Sequence, residues 1–423
     1  MPPLARRANH RPLRWWRVVA AVAAVVVLAG VTGGVLVYRQ LNGNIRSVDI
    51  SSVKQPGASA AAPDDDPFAG RALNILVIGS DTRSGRTNCS VGGACSDSGI
   101  NADVEMLVHV SKDRSNAGVV SIPRDTMTSL PACTDPDTER SVGVRYGQIN
   151  SSLAYGAACT VASVEKLTGL SIDHFVMVDF AGVITMSDAV GGAEVCVDNS
   201  VYDPDSGLKL SKGTHTLVGR AALEFLRTRH GFGDGSDLGR TSTQHLYISA
   251  LIRKLKSAGV LLNPVSVYQV AQAATKALTV DTDLASIGRL VKLAGVLNAV
   301  PSERITFVTM QTAADPANPN RVVMASSARK LFAAIRRDRS LSEPEASATP
   351  SPTPGASSSP SPTPGTTPGA SKSALEGAHA TTADDANTCA KVATGYVISY
   401  RWRRMTPQQA YADSPTVKDS DAA

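Results

Sequence analysis

Residues 73–83 read Leu-Asn-Ile-Leu-Val-Ile-Gly-Ser-Asp-Thr-Arg, a short apolar run that ends in polar residues. A continuous apolar run of this length is typical of a strand that is buried on both faces of a covered sheet. Asp81 and Arg83 then follow at the carboxyl end of the strand, where open α/β sheets bind ligands. The stretch therefore predicts both the start of a folded domain and one side of a binding site.

Two further apolar runs begin or end at charged residues in the same way. Residues 104–110 follow Asp103, and residues 119–122 lead into Pro-Arg-Asp-Thr at 123–126. Stretches with helical periodicity alternate with short apolar runs along the following chain, as expected of an α/β layered domain. We predict further strands at 174–180, 194–197 and 304–310, and helices at 148–168, 181–189, 241–258, 265–278, 284–300 and 329–337.

Three arginines lie close together in residues 223–244, which read LEFLRTRHGFGDGSDLGRTSTQ. Arg227 and Arg229 are two residues apart, a spacing that points both side chains to one face of an extended segment. The Gly- and Asp-rich residues 231–239 can then turn the chain so that Arg240 joins the pair. Because guanidinium groups bind phosphate oxygens through paired hydrogen bonds, the stretch predicts a phosphate-binding site.

A helix that starts near Arg240 would place Gln244 on the same face, because residues four apart are neighbours on a helix. Asp237 stands where it can cap that helix. The alternative interpretation is a solvated basic surface, or arginines that pair with Asp234 and Asp237 within the loop. The stretch alone leaves both interpretations open.

The strand ends and the arginine-rich stretch supply polar side chains that suit phosphoryl chemistry. The candidate residues are Asp81, Arg83, Asp103, Arg124, Arg227, Arg229, Arg240 and Gln244. Arginines bind diphosphate oxygens and neutralise charge in the transition state, and carboxylates hold Mg²⁺, which prefers oxygen ligands. The alternative is a set of buried ion pairs, Asp81–Arg83 and Arg124–Asp125. Because buried ion pairs cost free energy to form, several of them at strand ends favour a functional site.

The sequence lacks the signatures of several other common sites. It contains no Walker A loop, no GxGxxG dinucleotide loop and no GxSxG nucleophile elbow. Five scattered histidines form no Ser/His/Asp arrangement, and we expect each to be structural: His109, His174, His215, His230 and His245. The net charge of +5 is small and partly N-terminal, so we expect no nucleic-acid partner.

The N-terminus predicts a membrane anchor. Five arginines in residues 1–17 precede an uncharged run of twenty-one residues at 18–38, which as a helix would span roughly 30 Å, the thickness of the hydrocarbon core. The arginines indicate that residues 1–17 are cytoplasmic and that the chain after residue 38 lies outside the cell membrane. A cleaved signal peptide is the alternative, although its apolar core is usually only about 7–15 residues long.

Composition divides the chain after the anchor into three parts. Residues 39–70 are a polar linker rich in Ala, Ser, Pro and Asp, and residues 71–340 form the predicted extracytoplasmic domain. Residues 341–423 contain two Ser-Pro-Thr-Pro-Gly copies, at 351–355 and 361–365. A Pro/Ser/Thr-rich composition cannot bury a core, so we expect a disordered spacer and tail there.

The six cysteines fit an oxidising compartment, since none forms a CxxC and no His/Cys cluster has zinc spacing. They are Cys89, Cys95, Cys133, Cys159, Cys196 and Cys389. Cys89 and Cys95 flank a Gly-Gly loop that a disulfide can close. Cys133 with Cys159 is a second plausible pair, and the partners of the other two cysteines stay open.

Six segments of the chain resemble the LytR-CpsA-Psr (LCP) family, in the order in which that family carries them. They are 74–83, 102–103, 121–126, 148–156, 167–175 and the Arg-x-Arg…Asp-Leu-Gly-Arg-x-x-x-Gln pattern of 227–244. Together they lie within about residues 73–259. The predicted anchor, outer domain and Pro/Ser-rich tail also match the family. Each motif alone is weak, but six in the same order are specific.

The resemblance implies a layered α/β/α domain with a central mixed sheet. It also implies a phosphotransferase that moves a glycopolymer from a polyprenyl-diphosphate carrier to the muramic acid 6-hydroxyl of peptidoglycan, with release of polyprenyl phosphate. The lipid tail would lie in an apolar pocket between the sheet and helices such as 151–168 and 180–190. Arabinogalactan, teichoic or teichuronic acid and capsular polysaccharide all fit such an enzyme.

The resemblance also implies roles for individual residues. Asp81 and Asp103 correspond to the carboxylates that hold Mg²⁺ (or Mn²⁺), and with Arg124 they form the expected catalytic set. Either aspartate is a candidate for the base that takes the hydroxyl proton. The residues that correspond to the diphosphate clamp are Arg83, Arg124, Arg227, Arg229, Arg240 and Gln244.

The chain departs from the family pattern at three positions. Asn101 stands where the family commonly has an arginine, and Thr243 and His245 flank Gln244 where Arg and Gln are frequent. These three departures remove polar ligands that the family commonly has, so substrate affinity or specificity is expected to differ. The alternatives to the transferase are a non-catalytic membrane-anchored regulator or scaffold that binds lipid-linked glycans, and a polyprenyl-diphosphate hydrolase. A transcriptional regulator is disfavoured, because about seventeen residues precede the anchor.

Overall fold

The computed structural model describes residues 15–51, 68, 70–82, 100–134, 139, 141–257, 263–341, 375, 380–383 and 389–422. The described strands are β1 (Arg46–Val48), β2 (Leu73–Ser80), β3 (Ala102–Val110), β4 (Ala117–Ile122), β5 (Met127–Leu130), β6 (Cys133–Thr134), β7 (Ser141–Val142), β8 (Arg145–Gln148), β9 (His174–Val178), β10 (Ala193–Val197), β11 (Val201–Tyr202), β12 (Lys209–Leu210), β13 (Gly213–Leu217), β14 (Leu278–Asp281), β15 (Ile305–Thr309), β16 (Thr312–Asp315), β17 (Asn318–Met324), β18 (Ala380–Thr382), β19 (Ile398–Tyr400) and β20 (Arg403–Met405). The described α-helices are α1 (Trp15–Asn44), α2 (Ala157–Thr168), α3 (Phe180–Val190), α4 (Gly219–Arg227), α5 (Asp237–Lys256), α6 (Pro264–Ala277), α7 (Ile287–Ala299), α8 (Ala328–Arg336) and α9 (Pro407–Ala412).

Within the described residues, eight strands form one mixed sheet in the order β1-β14-β9-β2-β3-β4-β15-β18. The central strand β2 is antiparallel to β3 and parallel to β9. Strand β4 is antiparallel to β3 and parallel to β15. The predicted central mixed sheet is confirmed, and the other described strands form two-stranded ribbons around it.

The two faces of the sheet are covered by different elements. On one face, Leu76, Ile78 and Leu107 pack in a core with α2 and α8. On the other, Ile75 and Met106 belong to a core that includes residues of α5 and α7. We refer to these as the closed face and the open face. Helices on both faces of a mixed sheet confirm the layered α/β/α prediction.

The predicted helix at 148–168 is divided in two. Residues Ile149–Tyr155 form a 3₁₀ helix, and α2 begins only at Ala157. Gly156 lies between them with a φ of 88°, a conformation that an α-helix does not adopt. The predicted stop at Gly169 is present, since this residue adopts the left-handed conformation and its N–H caps the carbonyl of Glu165.

The chain after the apolar run is not the flexible linker that the sequence predicted. Helix α1 continues to Asn44, whose amide donates to the Thr275 hydroxyl at 3.5 Å. Strand β1 follows at once and pairs in parallel with β14. The prediction of a linker at 39–70 is therefore wrong for residues 39–48, and residues 52–67 lie outside the described residues. Residues 18–44 have a mean hydropathy of 2.5 and are long and apolar enough to cross a membrane.

The described C-terminal residues belong to the fold, so the prediction of a disordered tail over 341–423 is wrong for them. Strand β18 joins the sheet beside β15, and β19, β20 and α9 form a small unit next to β11. Few apolar residues suffice for this packing: Tyr202, Ile398, Met405 and Ala410 share one buried cluster. Residues 342–374, which carry both Ser-Pro-Thr-Pro-Gly copies, lie outside the described residues.

Two disulfides are described. Cys133 and Cys159, a predicted pair, are joined with their Cα atoms 5.6 Å apart. Cys196 is joined to Cys389 with a Cα separation of 4.4 Å, which answers the question that the sequence left open. The predicted Cys89–Cys95 pair lies outside the described residues.

Candidate functional site

The sheet register brings Asp81, Asp103 and Arg124 to one edge. Strand β2 ends opposite the start of β3, so the residues just beyond the two paired ends are neighbours. The end of β4 pairs with Glu105 of β3, and Arg124 follows two residues beyond that end. Arg124 donates a hydrogen bond to the carboxylate of Asp103. The strand-end charges that the sequence singled out therefore do lie together.

Asp237 lies among three of the arginines. Its carboxylate is 2.9 Å from Arg240 Nη2, 3.6 Å from Arg124 Nε and 4.0 Å from Arg229 Nε. Arg240 also donates to the backbone carbonyl of Asp103 at 3.4 Å. The interpretation in which the arginines pair with Asp237 is thus correct in part, and the paired arginines still converge on one point.

The arginines retain hydrogen-bonding capacity in this arrangement. Among the described residues, the buried Nε atoms of Arg124, Arg229 and Arg240 have no hydrogen-bond partner. Burial lowers the pKa of Arg240, although Asp237 opposes that shift. Burial also opposes the charge of Arg124, but Asp103 and Asp237 hold its pKa above the usual value. Buried donors without acceptors are costly, so the cluster is suited to an anionic ligand.

A cavity of about 850 Å³ opens at these arginines and extends under the open face of the sheet. Its inner wall is apolar and comes from the sheet and from α3, α4 and α5: Val77, Val104, Met106, Val176, Val178, Val183, Met186, Leu223, Leu226, Tyr247, Ile248, Leu251 and Leu278. Its mouth carries Arg124, Arg227, Arg229 and Arg240, which we call the arginine rim. Helix α3 lines the cavity as predicted for 180–190, but α2 packs on the closed face, so the prediction for 151–168 is wrong for that helix.

Two members of the predicted clamp sit where helices meet the cavity. Arg227 is the last residue of α4 rather than part of an extended segment, and its guanidinium lies 4.7 Å from the centre of the Phe180 ring. Gln244, on α5, is 6% exposed and donates from its amide to the backbone carbonyl of Leu226 at 3.3 Å. Both residues line the cavity together with Arg229 and Arg240.

Comparison with known proteins identifies the family in which this fold occurs. The sequence model of the LytR_cpsA_psr family matches residues 38–336. The chain belongs to this family. The match covers the described sheet up to β15, the cavity and the arginine rim, and it ends at the last residue of α8.

Two similar LCP relatives are named for work on the cell wall. LcpA of Corynebacterium glutamicum, a cell wall biosynthesis protein, is 30% identical over 328 residues, which are 72% of this chain and 61% of LcpA. TagT of Bacillus subtilis, a polyisoprenyl-teichoic acid–peptidoglycan teichoic acid transferase, is 28% identical over 60% of this chain and 74% of TagT. The chain thus spans less than two thirds of the length of LcpA.

A solved structure shows the same fold. The LytR-Csp2A-Psr enzyme from Actinomyces oris superposes with a TM-score of 0.51 and 23% identity, over 69% of this chain and 96% of the other. Over this part of its length, the chain therefore has the fold of a solved LCP enzyme.

Sequence reasoning missed one arginine of this LCP site. Arg321, on β17, also lines the cavity, and it donates to Asp125 at 2.7 Å. Gln148 donates to the same carboxylate oxygen at 2.6 Å. Arg321 has no motif around it and reaches the mouth only because the β16–β17 ribbon folds back, so no local sequence signal could have identified it. Arg83, a predicted clamp residue, lies outside the described residues.

The three departures from the family pattern have distinct structural outcomes. Asn101, in place of the usual arginine, donates to the Asp81 carboxylate from its backbone N at 2.6 Å and from its side chain at 3.4 Å. Thr243 is buried and bonds to the Arg240 carbonyl. His245 is buried against the Ser121 hydroxyl at 2.7 Å, and burial lowers its pKa to about 4. Neither flanking residue of Gln244 lines the cavity.

A buried acid lies directly behind the arginine rim. Glu105 is 1% exposed, and neither of its carboxylate oxygens has a hydrogen-bond partner among the described residues. Burial raises the pKa of Glu105 well above its usual value, which favours the neutral form. A neutral acid does not compete with a bound anion for the charge of Arg124 and Arg240.

Four of the five histidines lie outside the cavity lining, and a structural role for them stays a prediction. His109, His174 and His215 each contact a carboxylate outside the cavity, those of Asp338, Asp281 and Asp421. His230 differs, because it lines the cavity next to Arg229. Its Nδ1 lies 3.1 Å from the carbonyl of Gly235.

Proposed function

We propose that this LCP protein is a phosphotransferase that moves a glycopolymer from a polyprenyl-diphosphate carrier to the muramic acid 6-hydroxyl of peptidoglycan. The observation that supports this most strongly is that a cavity with apolar walls opens at the arginine rim. A polyprenyl diphosphate has the same two parts, an apolar chain and a doubly phosphorylated head group. The similarity to TagT, whose name joins polyisoprenyl-teichoic acid to peptidoglycan, supports the same substrate class.

The proposed reaction is a single displacement at phosphorus. The muramic hydroxyl oxygen bonds to the phosphorus that carries the glycan, and the bond from that phosphorus to the bridging oxygen breaks. Polyprenyl phosphate leaves with the electron pair, and the hydroxyl proton passes to Asp81 or Asp103. Arg124, Arg229 and Arg240 hold the diphosphate and neutralise the charge that develops on its oxygens.

Mg²⁺ (or Mn²⁺) fits the residues at the mouth. Asp81 and Asp103 both line the cavity, and Mg²⁺ is commonly held by one or two carboxylates together with phosphate oxygens. Among the described residues, no three His, Cys, Asp or Glu side chains are grouped to hold a metal by themselves. We therefore propose that the ion binds together with the diphosphate, whose negative charge it would neutralise.

We also propose that α1 anchors the protein in the cell membrane with residues 1–17 in the cytoplasm. The length and hydropathy of residues 18–44 support the anchor. The arginines before the apolar run support the orientation. The two described disulfides suit an outer, oxidising compartment.

The direct test uses the full chain in detergent micelles with a short polyprenyl-diphosphate glycan, Mg²⁺ and a peptidoglycan acceptor. Mass spectrometry should detect both polyprenyl phosphate and a new glycan–muramic phosphodiester. Asp103→Ala and Arg240→Ala should each remove the product. Arg336→Ala is the matched control, because the hydrogen bonds of Arg336 within the described residues go to backbone carbonyls at the end of α2 on the closed face.

Two outcomes would contradict the transferase. Polyprenyl phosphate that appears without a glycan–muramic product would identify a hydrolase that uses the same rim. Carrier that co-purifies with the protein but is never turned over, with or without Mg²⁺, would identify a binding scaffold.

A further inference from the structure

A C-terminal segment lies against the loop that joins Arg229 to Arg240. We call residues 389–396 the C-terminal strap; they lie beyond the region that matches the family. One antiparallel bridge, Phe232–Val392, joins the strap to the loop through two backbone hydrogen bonds, from Gly233 N to the Lys391 carbonyl at 2.8 Å and from Ala393 N to the Gly231 carbonyl at 2.9 Å. Residues 231–233, in the first half of the loop between the two arginines, are thus paired with the strap.

The far end of the strap contacts the cavity rim. The Tyr396 ring stacks on the His230 ring with centroids 4.6 Å apart and an angle of 3° between planes. His230 follows Arg229 directly and lines the cavity. Tyr396 also covers Gly235, where a Cβ would lie 2.3 Å from its ring. Tyr396 therefore packs on both the start and the middle of the loop.

The strap is fixed at its start. The Cys196–Cys389 disulfide ties its first residue to β10. Ala390 N donates to the carbonyl of Cys196 at 2.8 Å, and Val392 N donates to the carboxylate of Asp198 at 2.8 Å. Asp198 N also donates to the Ala390 carbonyl at 3.1 Å, so a covalent bond and three hydrogen bonds hold the strap to the body of the domain.

The chain beyond the strap is fixed by buried polar contacts. The ammonium of Lys209, a residue only 4% exposed, donates to the Ser414 carbonyl at 2.7 Å. His215 Nδ1 lies 2.6 Å from the Asp421 carboxylate, and Ser420 donates to Glu224 at 2.8 Å. With both ends held, the strap is a rigid support for the loop.

We propose that the C-terminal strap positions Arg229 and Arg240 for the diphosphate, with Tyr396 as its main positioning residue. Without the strap, the loop keeps the buried Phe232 ring, a hydrogen bond from His230 N to the Asp203 carboxylate at 3.3 Å, and short-range bonds such as His230 to Gly235 and Ser236 to Asp234. A Gly-rich loop held by so few contacts opens at a lower cost in free energy than one that is also paired with the strap. The strap therefore completes the binding site from outside the family region. The kinetic part of this proposal rests on the proposed function.

The first test measures the loop itself and needs no substrate. Amide hydrogen exchange of residues 229–240 is compared in the full-length wild type, Tyr396→Ala, Tyr396→Phe and Trp402→Ala. Tyr396→Ala removes the aromatic stack and should speed amide exchange in this loop about 2- to 10-fold. Tyr396→Phe keeps the ring, so its loop should exchange at the wild-type rate. Trp402 is the control, because it is fully exposed at the β19–β20 turn. Exchange in β2 and β3 reports whether each variant is folded.

The second test removes the covalent tie. Cys196→Ser/Cys389→Ser should speed exchange of the same loop by more than about tenfold, since a disulfide limits opening of the chain that it closes. Cys133→Ser/Cys159→Ser is the matched control, because that disulfide joins β6 to α2 away from the loop. It should leave exchange of the loop near the wild-type rate.

The third test is kinetic. Tyr396→Ala should lower kcat/KM for the polyprenyl-diphosphate glycan about 2- to 10-fold and Tyr396→Phe should not, because the loop places two arginines that bind the diphosphate and neutralise its developing charge. Unchanged loop exchange in both Tyr396→Ala and the Cys196/Cys389 variant would overturn the strap. Faster loop exchange in these variants, together with a wild type that turns over no carrier, would leave the strap in place and reject the transferase instead.

Discussion

The two faces of the central sheet carry similar apolar side chains but are covered in opposite ways. On the closed face, Leu76 and Leu107 are fully buried against a continuous core with α2 and α8. On the open face, Val77 and Met106 look into a cavity of about 850 Å³ beneath α3, α4 and α5. A natural core rarely leaves such a space empty, because each missing contact costs free energy.

The difference is explained by how the covering helices are held. Helix α2 is tied to the body of the domain by the Cys133–Cys159 disulfide and packs directly on the strands. Helices α4 and α5 instead share a second core with β10 and β13, so part of their packing comes from this neighbouring unit, although Ile248 and Ile252 of α5 also pack on the open-face core. The sheet can therefore leave a space on that side while these helices stay in place.

The largest effect should follow from removal of charge at the open mouth. Arg124→Ala should lower kcat/KM about 10²- to 10³-fold, as expected when a preorganised donor to a developing anion is lost. The closed-face variant Arg336→Ala should stay within about twofold of the wild type. Transfer rates for both variants, measured with the polyprenyl-diphosphate glycan, make the comparison. Equal losses in the two variants would mean that the faces do not differ in function.

Truncation of an apolar side chain should lower the free energy of unfolding more on the closed face than on the open face. Leu107→Ala on the closed face should lower the free energy of unfolding by about 2–5 kcal/mol, because it leaves a hole in a packed core. Met186→Ala on the open face should cost less than about 1.5 kcal/mol, since its side chain already borders a space. Urea denaturation measures both, and similar costs for the two variants would argue that the cavity is closed in solution.

Acid should lower the free energy of unfolding through protonation of His245, which packs on the sheet from α5. Its folded pKa of about 4 lies below the ordinary value of 6.5, so the unfolded chain binds the extra proton. Stability from this residue is complete above about pH 6.5 and falls as pH drops towards 4, by about 3 kcal/mol in total. The difference in unfolding free energy between wild type and His245→Gln isolates this dependence from the opposite one of Glu105. A difference that does not change between pH 7 and pH 4 would show that His245 is not buried.

The smallest effect should come from the ring beneath Arg227. Phe180→Leu removes a cation–π contact worth about 0.5–1 kcal/mol, so KM for the carrier should rise roughly 2- to 5-fold. Tyr155→Leu is the matched control, because it removes the contact with Arg145, also at 4.7 Å, outside the cavity. A rise in KM for the control alone would show that Arg227 does not need the ring.

The local sequence pattern was enough to predict the central strands and the charged residues at their ends. Apolar runs located β2, β3 and β4, and the residues at their ends, Asp81 and Arg124, were identified because strand ends meet at one edge. Arg227 was placed on an extended segment, yet it ends α4, since the apolar residues of α4 continue the helix to that point. The cavity was expected only from the family resemblance, because apolar residues that line a space look the same in sequence as those that fill a core.

Long-range contacts account for what the sequence did not reveal. Arg321 reaches the mouth from the β16–β17 ribbon, nearly two hundred positions from Asp125 in the chain. Cys196 and Cys389 are separated by 193 residues, and the intervening Pro/Ser/Thr-rich composition pointed away from any folded structure beyond it. Polar composition predicts solvation, but it does not exclude a segment that docks through backbone hydrogen bonds, as the C-terminal strap does.

Helix α1 is followed directly by strand β1, and this short connection would limit how far the domain can move from a membrane that holds α1. Asn42 accepts from Ile287 at 2.8 Å, and β1 pairs with β14 immediately beyond the helix, so there is no swivel between the two. With α1 in a bilayer, the cavity mouth would keep one height and one orientation above the lipid surface. On a flexible tether of roughly 30 Å, the domain would meet the cell wall over a range of distances and directions from its anchor. A rigid connection would restrict it to a thin layer. If the proposed transferase activity holds, acceptor strands would therefore be modified only within that layer, at a distance from the membrane that the protein sets.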